Sequence, residues 1–256
     1  MSGYEDITYS VGDGRVRIAV NRPEKLNAYR NETADQLRDA VLRAGRDSSV
    51  RSILLTGEGR AFGAGYDLAT VKPNEVPALD DVLQRHFNPL VFAMRQSRLP
   101  IVAAVNGPCA GAAVGIALAA DIVIAARSAY FYEPFVGIAL VPDAGNTLFL
   151  SRMLGRVRAS GMMLLGDRIP AEKALAWGLL WDVVDDAELA SAAEAICARL
   201  SKLDAGALAG PNRLTGGAAE WGSDEHRAGG GGRGGEAART PAMKAQIAAF
   251  FAKRKA

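Results

Sequence analysis

The stretch Pro100-Ile101-Val102-Ala103-Ala104-Val105-Asn106-Gly107-Pro108-Cys109-Ala110-Gly111-Ala112-Ala113 carries the reading of the fold. Ile101 to Val105 is apolar throughout, too short for a helix core and without polar alternation, so it reads as a strand buried on both faces. Asn106-Gly107-Pro108 is a turn signal. A helix of small residues follows, from about Gly111 to Ala120, and Ile122 to Ala126 repeats the buried-strand pattern. Upstream, Ile53-Leu54-Leu55 is a third such strand, followed by a small-residue loop from Gly57 to Gly65. Buried strands alternating with helices predict an α/β fold with a largely parallel sheet.

The flanks agree with that reading. Ile7 to Ser10 and Val16 to Val20 bracket Gly12-Asp13-Gly14 and predict a β-hairpin. Ala34, Leu37, Val41 and Ala44 give a helix an apolar face, with Asn31 as its N-cap. Leu83, Phe87, Leu90, Val91 and Met94 mark a second amphipathic helix. After Gly145 the pattern is helical; Pro170 opens a short helix, Gly178 closes it, and Leu179 to Val184 reads as strand. Asp186 caps a helix to about Ser201, and the last helix runs from about Thr240 to Lys253. The expected division is a core over 1–200 and a helical C-terminal region over 201–256. Ala228 to Gly235 is rich in glycine and reads as a loop or linker. A phosphate-cradling loop would need a strand before it and Gly-Lys-Ser/Thr after it, and it has neither.

The 256 residues are 49% hydrophobic and 23% charged, which excludes disorder across the chain. A net charge of +2 gives no basis for nucleic-acid binding as the main task. No segment is long enough to span a membrane, since the apolar run Cys109 to Ala120 ends at Asp121. Met1 to Ser10 carries Glu5 and Asp6 and lacks the apolar core of a signal peptide, so a cytoplasmic protein is expected. Cys109 and Cys197, with His86 and His226, are too sparse for a zinc site and read as reduced packing thiols. No metal is expected.

Three segments have the composition of a site. Ala61-Phe62-Gly63-Ala64-Gly65-Tyr66-Asp67-Leu68 follows a buried strand, and Asn106 to Ala113 hands a strand to a helix. Small residues let a ligand approach the backbone. Two amides aimed at one point make an oxyanion hole, although tight turns alone would also demand glycine. In the third, Phe135 to Thr147, Asp143 lies between an apolar run and a helix. It is either an N-cap or a general base in an apolar pocket.

Taken together these segments resemble the crotonase (enoyl-CoA hydratase/isomerase) superfamily. Asn21-Arg22-Pro23-Glu24-Lys25-Leu26-Asn27-Ala28 is similar to the family's opening motif, Ala61 to Leu68 to its A-F-x-A-G-x-D-L segment, and Pro100 to Gly111 to its P-x-x-A-x-N-G-x-x-x-G segment. Asp121-Ile122 and Pro142 to Gly155 continue the likeness, which covers residues 4 to 254. His86 to Val91, Asp121 to Ala129, Pro142-Asp143 and Trp177 to Asp186 are most similar to the branch that isomerises a ring epoxide of phenylacetyl-CoA.

The resemblance implies a spiral of ββα units, a helical C-terminal region used in trimerisation, and a homotrimer or dimer of trimers. It implies an acyl-CoA thioester as substrate, with coenzyme A entering as part of it and no separate cofactor. The oxyanion amides fall on Tyr66 and Ala112, the second usually glycine. The two glutamates of the hydratases fall on Gly115 and Phe135, neither able to move a proton; Glu133 is displaced by two residues. Asp143 falls on the acid–base carboxylate of the isomerases. Lys25, Leu26, Ala28, Ala64, Asp67, Leu68, Gly111, Phe135, Phe250 and Lys253 fall on substrate or coenzyme A contacts. The expected activity is acyl-CoA isomerisation, with hydration or silent CoA-ester binding as alternatives. Dehalogenase members carry tryptophan where Phe135 stands and a histidine from the preceding helix, where His86 reads as a surface residue. Asn146 replaces a common glycine, and Ala228 to Gly235 replaces a stretch that is usually helical.

Overall fold

The computed structural model describes residues 3–70, 79–209, 240, 241, 243 and 245. Along the chain these form β1 (Ile7–Gly12), β2 (Arg15–Val20), α1 (Asn31–Arg46), β3 (Ser52–Gly57), α2 (Leu79–Val82), a π-helical turn Leu83–Phe87 and α3 (Asn88–Arg95). There follow β4 (Ile101–Val105), β5 (Pro108–Ala110), α4 (Ala112–Leu118), β6 (Ile122–Ala126), β7 (Tyr130–Tyr132), α5 (Asn146–Leu165), β8 (Ile169–Pro170), α6 (Ala171–Ala176), β9 (Asp182–Val184) and α7 (Leu189–Ser201).

The main sheet runs β1-β2-β3-β4-β6-β9. Only the β1–β2 hairpin is antiparallel; each later pair is parallel. The apolar runs explain this, since Ile53, Ile101, Val102 and Val105 are buried and the strands bury both faces against helices. A second sheet, β5-β7-β8, stands beside it. Its short strands replace what the sequence reads as turn at Pro108, because three residues are too few for a periodic signal.

Other local expectations shift for physical reasons. Arg30, not Asn31, caps α1, and its backbone N–H donates to Thr33 Oγ1 at 3.2 Å. The Asp186 carboxylate accepts from Ser128 N at 3.0 Å, and α7 begins later, at Leu189. Leu179 and Leu180 are buried packing residues ahead of the strand that begins at Asp182. Among the described residues no helix is long and apolar enough to cross a membrane. Cys109 and Cys197 are buried and unbridged. Ala228 to Gly235, Phe250 and Lys253 lie outside the described residues.

Candidate active site

Ligands of parallel α/β sheets bind beyond the carboxyl ends of the strands, and here the ends of β3 and β4 feed the two glycine-rich loops. The loops are zipped together. Phe62 N and Gly63 N both donate to Pro108 O at 3.1 Å, and Ala110 N donates to Gly63 O at 2.9 Å. Asn106 closes the strand end, its Nδ2 donating to Gly57 O at 3.0 Å and to Gly59 O at 2.9 Å.

Glycine is required where the loops touch. Gly65 has φ +88° and Gly111 has φ +54°, both in the region that favours glycine. A Cβ on Gly65 would lie 3.1 Å from Ala110 O, and one on Gly111 would lie 3.7 Å from Gly65 Cα. Back-to-back glycines therefore bring the next residues, Tyr66 and Ala112, onto one cavity. Ala112 is the first residue of α4, so its N–H has no intrahelical acceptor. Among the described residues, no backbone carbonyl outside the regular elements takes the N–H of Tyr66 or Ala112. Ala112 keeps a negative φ, so alanine fits where the resemblance has glycine.

The cavity encloses about 620 Å³, part of it open to solvent. Its apolar lining includes Leu68, Val82, Leu83, Phe87, Phe135, Ile138 and Leu140. Phe87 meets the Tyr66 ring edge-on, centroids 5.9 Å apart, which fixes the wall beside the Tyr66 amide. Leu83 and Phe87 belong to the amphipathic helix that the sequence reveals and lie in the π-helical turn, whereas Val82 ends α2 and is not among the residues that mark that helix in the sequence.

Asp143 lines the same cavity. It is not the N-cap of α5; Gly145 is, after Ala144 and Gly145 turn left-handed at φ +48° and +86°. That turn presents the carboxylate to the cavity, and its Oδ1 has no hydrogen-bond partner. Burial pushes its pKa up to about 6, against a smaller lowering by its own backbone N–H. A carboxylate so placed is ionised at neutral pH yet basic enough to take a proton.

The two positions at which the resemblance places the hydratase glutamates hold Gly115 and Phe135. A Cβ on Gly115 would lie 2.2 Å from Ala144 O, and Phe135 puts a ring against Gly111. Glu133 does not replace them, since it is absent from the cavity lining among the described residues. It is fully buried, and neither carboxyl oxygen has a partner. Burial first, and the Asp143 charge second, push its pKa up to about 9.

The remaining expected contacts divide. Gly111, Ala64, Leu68 and Phe135 line the cavity, whereas Lys25 is exposed and Leu26 turns left-handed at φ +51°. The Asp67 side chain does not face a ligand; its carboxylate takes Arg22 NH2 at 2.8 Å, and Arg22 also donates to Ala28 O. Asn27, buried, donates to Ala61 O at 2.6 Å and to Glu58 O at 2.8 Å. Arg22 and Asn27 thus brace the loop that carries Lys25, a role visible only once partners are known. His86 pairs with Asp35 at 2.9 Å, on the surface between the π-turn and α1. Among the described residues no three His, Cys, Asp or Glu side chains gather as metal ligands would.

Known proteins are similar to this chain in sequence and fold. A family model described as enoyl-CoA hydratase/isomerase matches residues 12–209. The chain is 43% identical over 200 residues to the 1,2-epoxyphenylacetyl-CoA isomerase of Escherichia coli (strain K12), covering 77% of this chain and 76% of that protein. It is 41% identical over 206 residues to a Rhodobacter capsulatus protein named a probable enoyl-CoA hydratase, covering 80% and 79%. A crystal structure of an enoyl-CoA hydratase from Polaromonas sp. JS666 superposes with a TM-score of 0.91 at 28% identity, covering 96% of this chain and 97% of that one.

Proposed function

The chain belongs to the enoyl-CoA hydratase/isomerase family, and from that premise we propose that it is an acyl-CoA isomerase which moves a double bond or opens a ring epoxide in the acyl part of a thioester. One observation carries this reading. Asp143 is the carboxylate that lines the same cavity as Tyr66 and Ala112, and neither position that the resemblance gives to the hydratase glutamates holds a carboxylate. The ionised Asp143 takes a proton from a carbon activated by the thioester carbonyl. The C–H electron pair moves into the conjugated system, and the oxygen becomes an enolate. Tyr66 N–H and Ala112 N–H stabilise that charge, each such donor being worth about 2.7–4 kcal/mol. Protonated Asp143 then returns the proton to another carbon, which moves the double bond; with a ring epoxide the electron pair instead breaks an epoxide C–O bond and the proton goes to the oxygen released.

The apolar lining with Phe87 and Phe135 suits an aromatic acyl group, in keeping with the E. coli relative. By the family resemblance the coenzyme A moiety would pass Ala64 and Leu68 and meet Lys25, Leu26 and Ala28 at its nucleotide part, and Phe250 and Lys253, which lie outside the described residues, would reach the adenine held by a neighbouring subunit. A cytoplasmic trimer, or dimer of trimers, belongs to the same reading; the exposed Met153, Val157, Leu164 and Leu165 of α5 support such an assembly.

Proton exchange in deuterium oxide tests the reading, with phenylacetyl-CoA and a straight-chain enoyl-CoA as probes. The expected result is deuterium beside the carbonyl, lowered by about 10²–10⁴ in Asp143→Asn while thioester binding persists. Wild-type exchange in folded Asp143→Asn would sink the assignment. Loss of enoyl absorbance with addition of water would show the hydratase instead, and tight binding with neither reaction would show a silent CoA-ester binder.

A further inference from the structure

We infer that Asn146 is a positioning residue for this reaction, one that orients and polarises the peptide unit whose N–H serves as the second oxyanion donor. The inference deepens the isomerase reading and rests on it. Asn146 is fully buried at the first position of α5. Its Nδ2 donates to Gly111 O at 3.0 Å. A carbonyl oxygen only accepts, so the amide nitrogen is the atom that must face it.

Gly111 C=O and Ala112 N–H belong to the same peptide unit. A hydrogen bond to the carbonyl draws charge toward oxygen and makes the N–H at the other end a stronger donor. The bond also fixes the plane of that peptide. Fixing matters here because Gly111, at φ +54° and ψ −128°, has no side chain to hold it. A second bond sits upstream, where Gly111 N donates to Tyr132 O at 2.8 Å. Val114 N also donates to Gly111 O at 2.9 Å, so three bonds clamp Gly111, and Asn146 supplies the side-chain one.

Asn146 also reaches the other half of the chemistry. Its backbone N donates to Asp143 O at 2.8 Å. One residue therefore ties the acid–base turn to the oxyanion peptide, so that the enolate oxygen and the reacting proton are positioned in one frame. A glycine at 146, which the family resemblance places there, supplies the backbone bond but not the side-chain bond.

The test uses Asn146→Gly and Asn146→Ala, with phenylacetyl-CoA as the probe. Both variants should lose about tenfold in kcat for proton exchange, the scale of one hydrogen bond expressed in the transition state, while KM stays within about twofold. In the infrared, the carbonyl band of bound phenylacetyl-CoA should move back toward its position in the free thioester. A band that stays in place with kcat within about twofold of wild type would overturn the inference, as would a raised KM with kcat kept. Asn146→Ala keeps the test alive if the larger cavity and looser backbone of Asn146→Gly prevent folding. Should wild type itself leave the carbonyl band unshifted, the oxyanion hole would fail, and that result is distinct from a shifted wild-type band that the variants do not alter.

Discussion

The part of the cavity wall formed by Gly65, Tyr66, Gly111 and Ala112 offers a substrate backbone amides, whereas the adjoining part formed by Phe135, Ile138, Leu140 and Asp143 offers one titratable side chain among apolar ones. On the first wall the chemistry depends on φ and ψ, and the side chains matter only by staying out of the way. On the second it depends on a carboxyl group and on what burial does to its proton. Mutations should therefore be read in different terms on the two sides: by backbone strain on one and by titration on the other.

Gly111→Ala is expected to give the largest effect on the backbone wall. The added Cβ would meet only ordinary contacts, 3.7 Å from both Gly65 Cα and the Phe135 ring. The cost lies in the backbone, since a residue at this φ and ψ is strained by about 1–3 kcal/mol. Rotating the peptide relieves that strain and turns the Ala112 N–H away, so kcat should fall by about 10²–10³ in a protein that still folds. Wild-type turnover in a folded Gly111→Ala protein would break the distinction between the walls.

Glu133→Gln examines the titrating wall, and here the signs can be worked out. Glu133 is held protonated up to about 9 when folded, whereas an unfolded glutamate ionises near its ordinary value of about 4.3. The unfolded state therefore binds fewer protons between these values, and wild type loses stability as pH rises across that window. Glutamine removes this loss. Denaturant melts should show Glu133→Gln more stable than wild type by a few kcal/mol, order of magnitude, near neutral pH, with the gap closing toward about pH 4. The acid limb of kcat/KM, set by Asp143 near 6, should not move, because Glu133 is already neutral while Asp143 ionises. A downward move of that limb would mean the two carboxyls share a charge.

How much of this could be read from the chain differs between the walls as well. The main sheet was legible because Ile53 to Leu55, Ile101 to Val105 and Ile122 to Ala126 are apolar runs that only burial on both faces explains. The backbone wall was legible in composition, since glycines and alanines cluster where strands end. What stayed hidden was made by long-range partners. Nothing near Asp67 in sequence announces that Arg22 takes its carboxylate, and nothing near Asn146 announces Gly111. Asp143 stood out beside its apolar neighbours, but its alternative role as an N-cap was removed only by the left-handed turn at Ala144 and Gly145. Strand alternation puts Glu133 on the face of Phe135, two residues displaced, and only the structure shows that it is buried without lining the cavity.

Ala112→Gly is the smallest expected change and the sharpest test of the backbone wall. Position 112 contributes an N–H, and glycine has the same N–H. Ala112 already holds an ordinary negative φ, so the substitution relieves no strain. It does remove a buried methyl group and adds chain entropy at the first turn of α4, together worth about 1 kcal/mol of stability. The N–H direction is set from outside the residue, by Gly111 and by the bond from Asn146. Proton exchange should therefore stay within about twofold of wild type while the melting temperature drops by a few degrees, roughly 2–4 °C for a chain of this size. A large loss of turnover here would mean that the alanine side chain shapes the substrate, and the wall would then resemble its neighbour more than its own glycines suggest.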